Sequence, residues 1–590
     1  IFVIMATSPL FNKVQVKEPP RSRFDLSHEV KMSVNMGDLN VFLCEECIPG
    51  DKFELSSEVF VRLQPMLAPI MHRANVTVHY FFIPNRLLWN DPTSETDNWE
   101  TFITAGEDGT AEPTPPCYHL ETPISAPNRT DLGMIFAEFG GLPDQLGVNI
   151  QNLFDSPGDL TMVDCIISAL PFRAYAQVFN DYYRDQNLRD KIEFTKSGGI
   201  LDENDMTADD FATCQLWQRC WEKDYFTSAL PWVQRGDPMA IPFRPINSDV
   251  VFARSNIADD RGSFWFDHNG EPAGGRLTGT TDIGQNGTLD DGLVVGTKAI
   301  GYGSISTAFN DDNRVKVYYD PNGSLNVPFL QNAATIQDLR IASKIQRWEE
   351  AHALSGARYN EQIMTDFFTK VPDYRLQRAE YLGGGVQPVV INEVLQTSET
   401  NTTALGSMAG QGISAGSSNK CYYYVQEHGF IMGILSILPQ PAYFQGLSKM
   451  WTRFDRFDYA FPRLQGIGEQ PVYRRELLFR GINNPDNIAY SNVGDDEVFG
   501  YQGQNADYKF HYDRVSGDFK KSLDFWHMAR KFTYENKATL NEAFVTFDET
   551  QICDPFAVAL GTGVNHFLCD IYIHEKASRY LPFWSDPKLN

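Results

Sequence analysis

The sequence predicts a mainly β fold in which two antiparallel sheets close into a barrel with long connections. Four segments near the two ends of the chain alternate apolar and polar residues or are apolar throughout; they cover residues 30–36, 76–82, 430–438 and 567–573. The connections between them are far longer than hairpin turns, which argues against a simple meander. A double-sheet barrel of the jelly-roll type, with elaborated loops, shelters its strand edges and fits these patterns best.

Each strong strand has its own pattern. Three of the segments place apolar residues at every second position: Val30, Met32, Val34 and Met36; Val76, Val78, Tyr80 and Phe82; and Phe567, Cys569, Ile571 and Ile573. The segment 430–438 is apolar throughout, which predicts a strand buried on both faces. Weaker strands are predicted over 41–47, 59–63, 389–395 and 472–479.

Two helices interrupt the strands. After Pro171, the spacing of Phe172, Tyr175, Phe179 and Tyr183 places four aromatic rings on one helical face. A second helix is predicted over 336–354, with Ile341, Ile345 and Trp348 as its apolar stripe and Gly356 as the stop signal. The chain therefore carries a few short helices on a β framework.

Composition shifts divide the chain into four parts. Residues 247–332 are rich in Gly, Asn, Asp and Thr, which predicts a long surface insertion that can carry contacts. Residues 1–23 are predicted to form an N-terminal arm. Met5 is expected to be the natural start, so residues 1–4 are interpreted as an upstream artefact. The jelly-roll core is then expected over 24–246, with a helical insertion, and over 333–590, including a C-terminal tail. A second Gly/Ser/Thr-rich stretch, 397–418, also predicts a loop.

Composition also limits the function classes. Apolar residues make up 42% of the 590 residues and aromatics 13%, so the chain folds into a globular protein. A net charge of −26 repels polyanions and disfavours a free nucleic-acid binder. Nine cysteines are too few for a disulfide framework and fit folding in a reducing cytosol. The longest apolar run has about half of the roughly 20 residues that a membrane span needs, so no membrane insertion is predicted.

The enzyme-like motifs lack the context that catalysis needs. Segment 412–416 matches the G-x-S-x-G nucleophile elbow, with Asp570 and His574 following in hydrolase order. Its flanks are polar and Gly-rich, whereas an elbow joins a buried strand to a helix, so a serine hydrolase using Ser414 is the weaker reading. Cys44 and Cys47 have metal-site spacing but no second pair, and strand alternation explains them. We predict no enzyme activity, no cofactor and no metal.

Local cations stand out on this acidic chain. Arg474 and Arg475 are adjacent, and Lys520 and Lys521 precede the aromatic triplet 525–527. Cations interleaved with aromatics can neutralise phosphates and stack bases, so these four residues are candidates for contact with single-stranded DNA. The alternative is that they pair with the abundant carboxylates.

A cluster of aromatic residues follows the first helix. Because Trp and Tyr dominate binding hot spots, its members are candidate anchors of contacts between subunits, and ordinary core packing is the alternative. These residues are Trp217, Trp221, Tyr225 and Trp232.

Several long segments resemble the major capsid proteins of microviruses, in particular the gokushovirus branch. They include PFRAYAQVFNDYYRDQNLR (171–189), WEKDYFTSALPWV (221–233), RLQRAEYLGGGV (375–386), EHGFIMGILSI (427–437) and RVSGDFKKSLDFWHMA (514–529). Shorter matches cover 24–39, 81–90, 340–348, 358–365 and 412–421. The resemblance spans most of the chain outside 247–332.

This resemblance implies an eight-stranded jelly roll of viral capsid type, sixty copies of which form a small T=1 icosahedral shell around circular single-stranded DNA. It also implies that the chain is found in the virion, and in the bacterial cytoplasm during assembly. The 247–332 insertion corresponds by position to a protrusion near the threefold axes that is suspected of binding a host receptor.

Charge adds a further expected partner. A shell of copies that each carry −26 would repel the genome, so a small basic virion protein or polyamines are expected on its inner wall. The competing reading is a carbohydrate-binding jelly-roll module that acts as a monomer or small oligomer.

Overall fold

A computed structural model gives the fold of the chain. It describes residues 20–122, 135–136, 138–148, 163–202, 206–236, 263–266, 272–273, 315–318, 336–356, 358–395, 408–464, 468–479, 497–532, 538–548, 552, 555–556 and 565–584. The chain divides into two compact units, one formed by residues 1–235 and 350–590 and the other by residues 236–349.

Strands dominate the described residues. Before the second unit they are β1 (Ser22–Asp25), β2 (His28–Val34), β3 (Asn40–Cys47), β4 (Lys52–Leu63), β5 (Ala74–Pro84), β6 (Cys117–Thr122), β7 (Val163–Ser168) and β8 (Ile200–Asp202). The second unit contains a three-stranded sheet of β9 (Ser263–Phe266), β10 (Pro272–Ala273) and β11 (Val315–Tyr318). The remaining strands are β12 (Glu380–Pro388), β13 (Val390–Leu395), β14 (Met408–Ser417), β15 (Cys421–Tyr424), β16 (Gly429–Pro439), β17 (Ala442–Tyr443), β18 (Glu469–Tyr473), β19 (Val498–Gly503), β20 (Asp513–Arg514) and β21 (Phe567–Arg579).

Helices are mostly short. The α-helices are α1 (Asn85–Leu88), α2 (Trp99–Thr104), α3 (Leu142–Gln145), α4 (Leu170–Val178), α5 (Ala208–Thr213), α6 (Ile336–Ser355), α7 (Tyr359–Phe367) and α8 (Glu542–Val545). A π-helix, Phe179–Tyr183, continues α4 directly. Single turns of 3-10 helix occur at Asp373–Leu376, Lys449–Thr452, Arg456–Asp458, Pro462–Leu464, Arg474–Glu476, Ala506–Tyr508, Gly517–Lys520 and Asp524–Trp526.

The larger core sheet has seven antiparallel strands. Its order is β1-β21-β4-β14-β13, with β15 also paired to β4 and β2 to β21. The strand β21 shows the structural meaning of the period-two pattern. Phe567, Cys569 and Ile571 point into the core, and the residues between them face outward. The two ends of the chain thus meet in one sheet.

A four-stranded antiparallel sheet, β12-β5-β16-β3, faces the larger one. Val76, Val78 and Ile431 from this sheet share one hydrophobic cluster with Val61 and Ile571 from the larger sheet. Burying apolar side chains between two sheets is the main stabilising contribution in such a sandwich. This double-sheet core positions every connection described below.

The outer face of the smaller sheet is covered as well. Phe81 and Met432 project to that side and pack with Phe172, Tyr175 and Phe179 of α4 and its π-helical extension. Pro171 stands in the first turn of α4, where its missing N–H costs no hydrogen bond. The strand β16 is therefore buried on both faces, as its continuous apolar sequence predicts.

The mainly β architecture with antiparallel sheets and few short helices is confirmed and fits a jelly roll of viral capsid type. The count of eight strands is not confirmed, since the two core sheets contain seven and four strands. Two local predictions are wrong. The strand predicted over 472–479 ends at Tyr473, and the predicted loop 397–418 contains β14.

Two predicted parts of the chain fall largely outside the described residues. They are residues 1–19 of the N-terminal arm and most of the 247–332 insertion. The predicted domain limits stay predictions.

Candidate assembly and nucleic-acid contact surfaces

Ser414 lies in the middle of β14 and not at a strand-to-helix turn. Its register partner is Val61 of β4, and its side chain is 1% exposed. The hydroxyl donates to the backbone carbonyl of Pro388 at 2.8 Å. No hydrogen bond joins Ser414 to Asp570 or His574 in the described part of the chain, so the G-x-S-x-G match is structural.

The Cys44 and Cys47 side chains belong to β3 and face packed surroundings. Burial raises the pKa of the Cys44 thiol to about 12, and burial also raises the pKa of Cys47. Thiols in such environments are poor nucleophiles and poor metal ligands at neutral pH. Among the described residues, no group of three or more His, Cys, Asp or Glu side chains is arranged to hold a metal ion.

The candidate DNA-contact lysines lie on the surface. Lys520 and Lys521 are exposed at the end of a 3-10 turn, and neither makes an ion pair with a described residue. The residue before them, Phe519, lines a cavity of about 660 Å³ together with Arg73 and Arg514. This part of the surface therefore combines free amines, two guanidinium groups and an aromatic ring.

The candidate arginine pair has a different setting. Arg474 forms an ion pair with Glu497, and the guanidinium of Arg475 stacks over the Tyr473 ring at 4.7 Å. No contact between described residues joins this pair to Lys520 or Lys521. The four candidate residues thus do not form one cluster through direct contacts.

Arg530, a further cation just after the 525–527 triplet, lies in the core. It is 2% exposed, its guanidinium lies 4.2 Å from the Phe544 ring and 4.9 Å from the Trp221 ring, and Nη2 donates to the Phe544 carbonyl at 2.6 Å. This cation therefore serves the fold and is inaccessible to a phosphate.

The candidate interface aromatics differ in exposure. Trp221 and Tyr225 are each 4% exposed; Trp221 packs against Phe547, and the Tyr225 hydroxyl donates to Glu476 at 3.1 Å. Their role as anchors stays a prediction.

Trp217 and Trp232 are half-buried. The Trp217 ring stacks on Phe179, and its indole N–H donates to the Ala212 carbonyl at 2.9 Å. The Trp232 indole N–H has no hydrogen-bond partner among the described residues. Their role as anchors likewise stays a prediction.

Residues 450–461 form a surface that the sequence reading did not single out; we call it the aromatic segment. Six of its large side chains are 43–89% exposed: Met450, Trp451, Phe454, Phe457, Tyr459 and Phe461. The sequence signal misleads here, because Met450, Phe454, Phe457 and Phe461 have the spacing of one helical face, which normally indicates burial. The structure instead forms only short 3-10 turns at Lys449–Thr452, Arg456–Asp458 and Pro462–Leu464, and it leaves these side chains exposed. Exposed aromatics of this kind are typical of a contact surface.

A second exposed aromatic site stands at the end of α7. Phe367 and Phe368 are 72% and 90% exposed, and Phe368 adopts a left-handed backbone conformation with φ of 53°. Such a φ is uncommon for a bulky residue and turns this side chain away from the helix. The molecule therefore presents large rings at two separate places.

These structural observations define a class of protein. A double-sheet core carries long connections, the serine motif is buried in a sheet, and large aromatic side chains remain on the surface, which describes a structural protein that acts through contacts.

Comparison with known proteins gives the family. The chain matches the family model described as capsid protein (F protein) over residues 12–589, and it belongs to that family.

Named relatives agree with this assignment. Capsid protein VP1 of Chlamydia phage 1 is 31% identical, with 98% of this chain and 97% of the relative aligned. Capsid protein VP1 of Bdellovibrio phage phiMH2K is 33% identical, with 91% of this chain and 89% of the relative aligned. Capsid protein VP1 of Spiroplasma virus 4 is 27% identical, with 97% of this chain and 95% of the relative aligned. The predicted resemblance to microvirus capsid proteins is confirmed. The chain is a structural capsid protein of the virion and not an enzyme.

The sequence predicts no membrane insertion. In the part of the chain that the structure describes, every helix is too short or too polar to cross a bilayer.

Proposed function

We propose that sixty copies of this chain assemble into a small T=1 icosahedral shell that encloses circular single-stranded DNA. The observation that carries the proposal is the capsid-family match over residues 12–589. Nearly the whole chain thus corresponds to capsid protein, and the double-sheet core provides a rigid frame on which loops can make repeated contacts that close on themselves.

Electron microscopy of the expressed and purified chain tests this proposal. We expect closed particles whose reconstruction has icosahedral symmetry with sixty copies of the subunit. Monomers or small oligomers alone, under conditions that keep the chain folded, would contradict it and would favour the carbohydrate-binding module.

The genome-facing partner follows from charge. The chain carries −26, so the inner wall of a shell needs cations before it can hold DNA. We propose that a small basic virion protein supplies most of them and that Lys520 and Lys521 add direct phosphate contacts. Support comes from the exposure of both amines beside the Arg73 and Arg514 cavity. Arg474 and Arg475 remain weaker candidates for the same role.

A double substitution, Lys520→Ala with Lys521→Ala, tests the direct DNA contact. Each lost phosphate contact weakens single-strand binding and lowers its salt dependence by somewhat less than one unit of slope. We expect less packaged DNA per particle and weaker binding of oligo(dT) at low salt. The matched control removes Lys31 and Lys420, two exposed lysines that already pair with Glu29 and Glu54. Equal effects from both pairs would contradict a specific contact.

Host attachment is assigned to the insertion 247–332. Long loops on a rigid scaffold often carry recognition, and this stretch has the composition of a surface loop. A chain lacking the insertion should still form particles but lose adsorption to host cells. Unchanged adsorption would place the attachment surface elsewhere. Assembly itself is proposed to occur in the bacterial cytoplasm.

A further inference from the structure

The aromatic segment, residues 450–461, exposes several large apolar side chains to solvent. Phe454 is 89% exposed, Trp451 63% and Phe457 61%. Monomeric soluble proteins rarely leave contiguous apolar patches of more than a few hundred Å² in water, and larger patches mark interaction sites. Something covers this segment in the working protein.

The exposed area matches one side of a protein interface. Large aromatic side chains bury 150–250 Å² each, so the six exposed side chains of the segment offer on the order of 700 Å². An interface of standard size takes about 800 Å² from each partner. The segment therefore supplies most of one side of a stable contact between proteins.

The arginines of the segment favour a protein partner over DNA. Arg453 forms an ion pair with Asp507 and lies 4.2 Å from the Tyr508 ring, and Arg456 lies 4.5 Å over the Phe457 ring. Exposed Asp455 and Asp458 accompany them. Mixed charge around a core of Trp, Phe, Tyr, Met and Arg is the composition of a protein interface, whereas a DNA groove needs an excess of free cations.

The segment is also held in shape before any partner binds. The Asp458 carboxylate accepts hydrogen bonds from the backbone N–H groups of Phe454 and Asp455, each at 2.8 Å. These bonds and the Arg453 ion pair fix the turns that present the rings. Preorganisation of this kind lowers the entropic cost of association.

We propose that the aromatic segment is a contact between subunits and buries against a second copy of this chain. The inference rests on the proposed shell, in which each subunit is surrounded by further copies of itself.

The test compares association of the full chain with and without the exposed rings. The double variant Trp451→Ser with Phe454→Ser should raise the protein concentration at half-assembly at least tenfold, measured by sedimentation velocity, and should keep the far-UV circular dichroism spectrum. The matched control, Phe139→Ser with Tyr422→Ser, removes two rings that are 71% and 72% exposed elsewhere on the unit. The control should shift the midpoint less than twofold. An unchanged midpoint in the segment variant, or an equal shift in the control, would overturn the inference.

A photoreactive benzoylphenylalanine in place of Phe454 identifies the partner directly. Cross-linking in assembled material should give a product of twice the subunit mass with both peptides from this chain. Cross-links to DNA or to a host component alone would overturn the inference. If the copies associate and cross-link through this position but form only small oligomers, the proposed shell fails while the contact stands.

Discussion

At the scale of single residues, Glu575 is a buried carboxyl without a counter-charge in hydrogen-bond contact. It is 1% exposed, and neither carboxyl oxygen has a hydrogen-bond partner among the described residues. Its pKa is raised to about 8, mainly by burial and also by nearby Glu45, while Arg579 acts in the opposite direction. At neutral pH this side chain is therefore protonated in the folded protein.

This shift predicts a stability that falls as pH rises. Below pH 4.5 the carboxyl is neutral in both states; between pH 4.5 and about 8 the unfolded chain loses the proton that the folded chain keeps, so unfolding becomes more favourable. Glu575→Gln removes this dependence. The difference in free energy of unfolding between Glu575→Gln and the wild type should therefore increase, in favour of the variant, by about 3 kcal/mol from pH 5 to pH 8.

Urea unfolding of the subunit at pH 5, 6.5 and 8 measures this difference. The control is Glu107→Gln, which changes an exposed carboxyl. Parallel pH profiles for the wild type and Glu575→Gln would rule out a buried neutral acid.

Arg530 gives a second prediction at this scale. Its planar guanidinium lies against the Phe544 and Trp221 rings, and a Lys ammonium can neither stack in the same way nor reach the same carbonyl. We expect Arg530→Lys to lower the free energy of unfolding by about 2–3 kcal/mol. Lys520→Ala should leave it unchanged in the same denaturation experiment, because that amine is exposed. An unchanged free energy of unfolding for Arg530→Lys would contradict a stabilising role for these ring and carbonyl contacts.

At the scale of elements, the sequence predicts the strands whose burial pattern is local. The strands β2, β5 and β21 and the helix α4 follow from periodicity, and β16 follows from its continuous apolar run. The four predicted rings, shared by α4 and its π-helical extension, are all buried. The strand β14 does not follow, because its glycines and serines have low strand propensity. Its strand conformation depends on pairing with β13, the preceding strand, and with β4, which lies far away along the chain.

The strand β14 also shows why glycine is needed there. A Cβ added at Gly410 would lie 2.5 Å from the Ala68 carbonyl oxygen and 2.8 Å from the Pro69 Cα, both backbone atoms that cannot move aside cheaply. We expect Gly410→Ala to lower the free energy of unfolding by about 1–3 kcal/mol. Gly503→Ala on β19 is the control, since a Cβ there meets nothing within 4 Å. Equal thermal unfolding midpoints for Gly410→Ala and Gly503→Ala would contradict the close approach of the Ala68 and Pro69 backbone to Gly410.

The contact surfaces were harder to predict than the strands. Alternation of apolar and polar residues identifies buried side chains. An exposed aromatic ring is recognised only from the fold, which shows that the ring remains accessible to solvent. Trp221 and Tyr225 were chosen for residue type and are buried, whereas Trp451 and Phe454 were passed over and are exposed. Residue type alone does not separate core aromatics from surface aromatics.

At the scale of the whole molecule, the net charge of −26 limits how the genome is held. Repeating that charge around a shell opposes packaging of a polyanion unless cations intervene. We expect purified DNA-containing particles to include a small basic peptide or bound polyamines, detectable by mass spectrometry of the dissociated particles. Particles that hold DNA with neither would contradict this balance of charge.

The central claim is that this chain acts by contact between copies of itself. The most direct measurement is the mass of the purified native material by analytical ultracentrifugation. Sixty chains of 66.8 kDa predict a closed particle with about 4 MDa of protein. Material that stays at 66.8 kDa or at a few multiples of it, at any concentration and while folded, would contradict the claim.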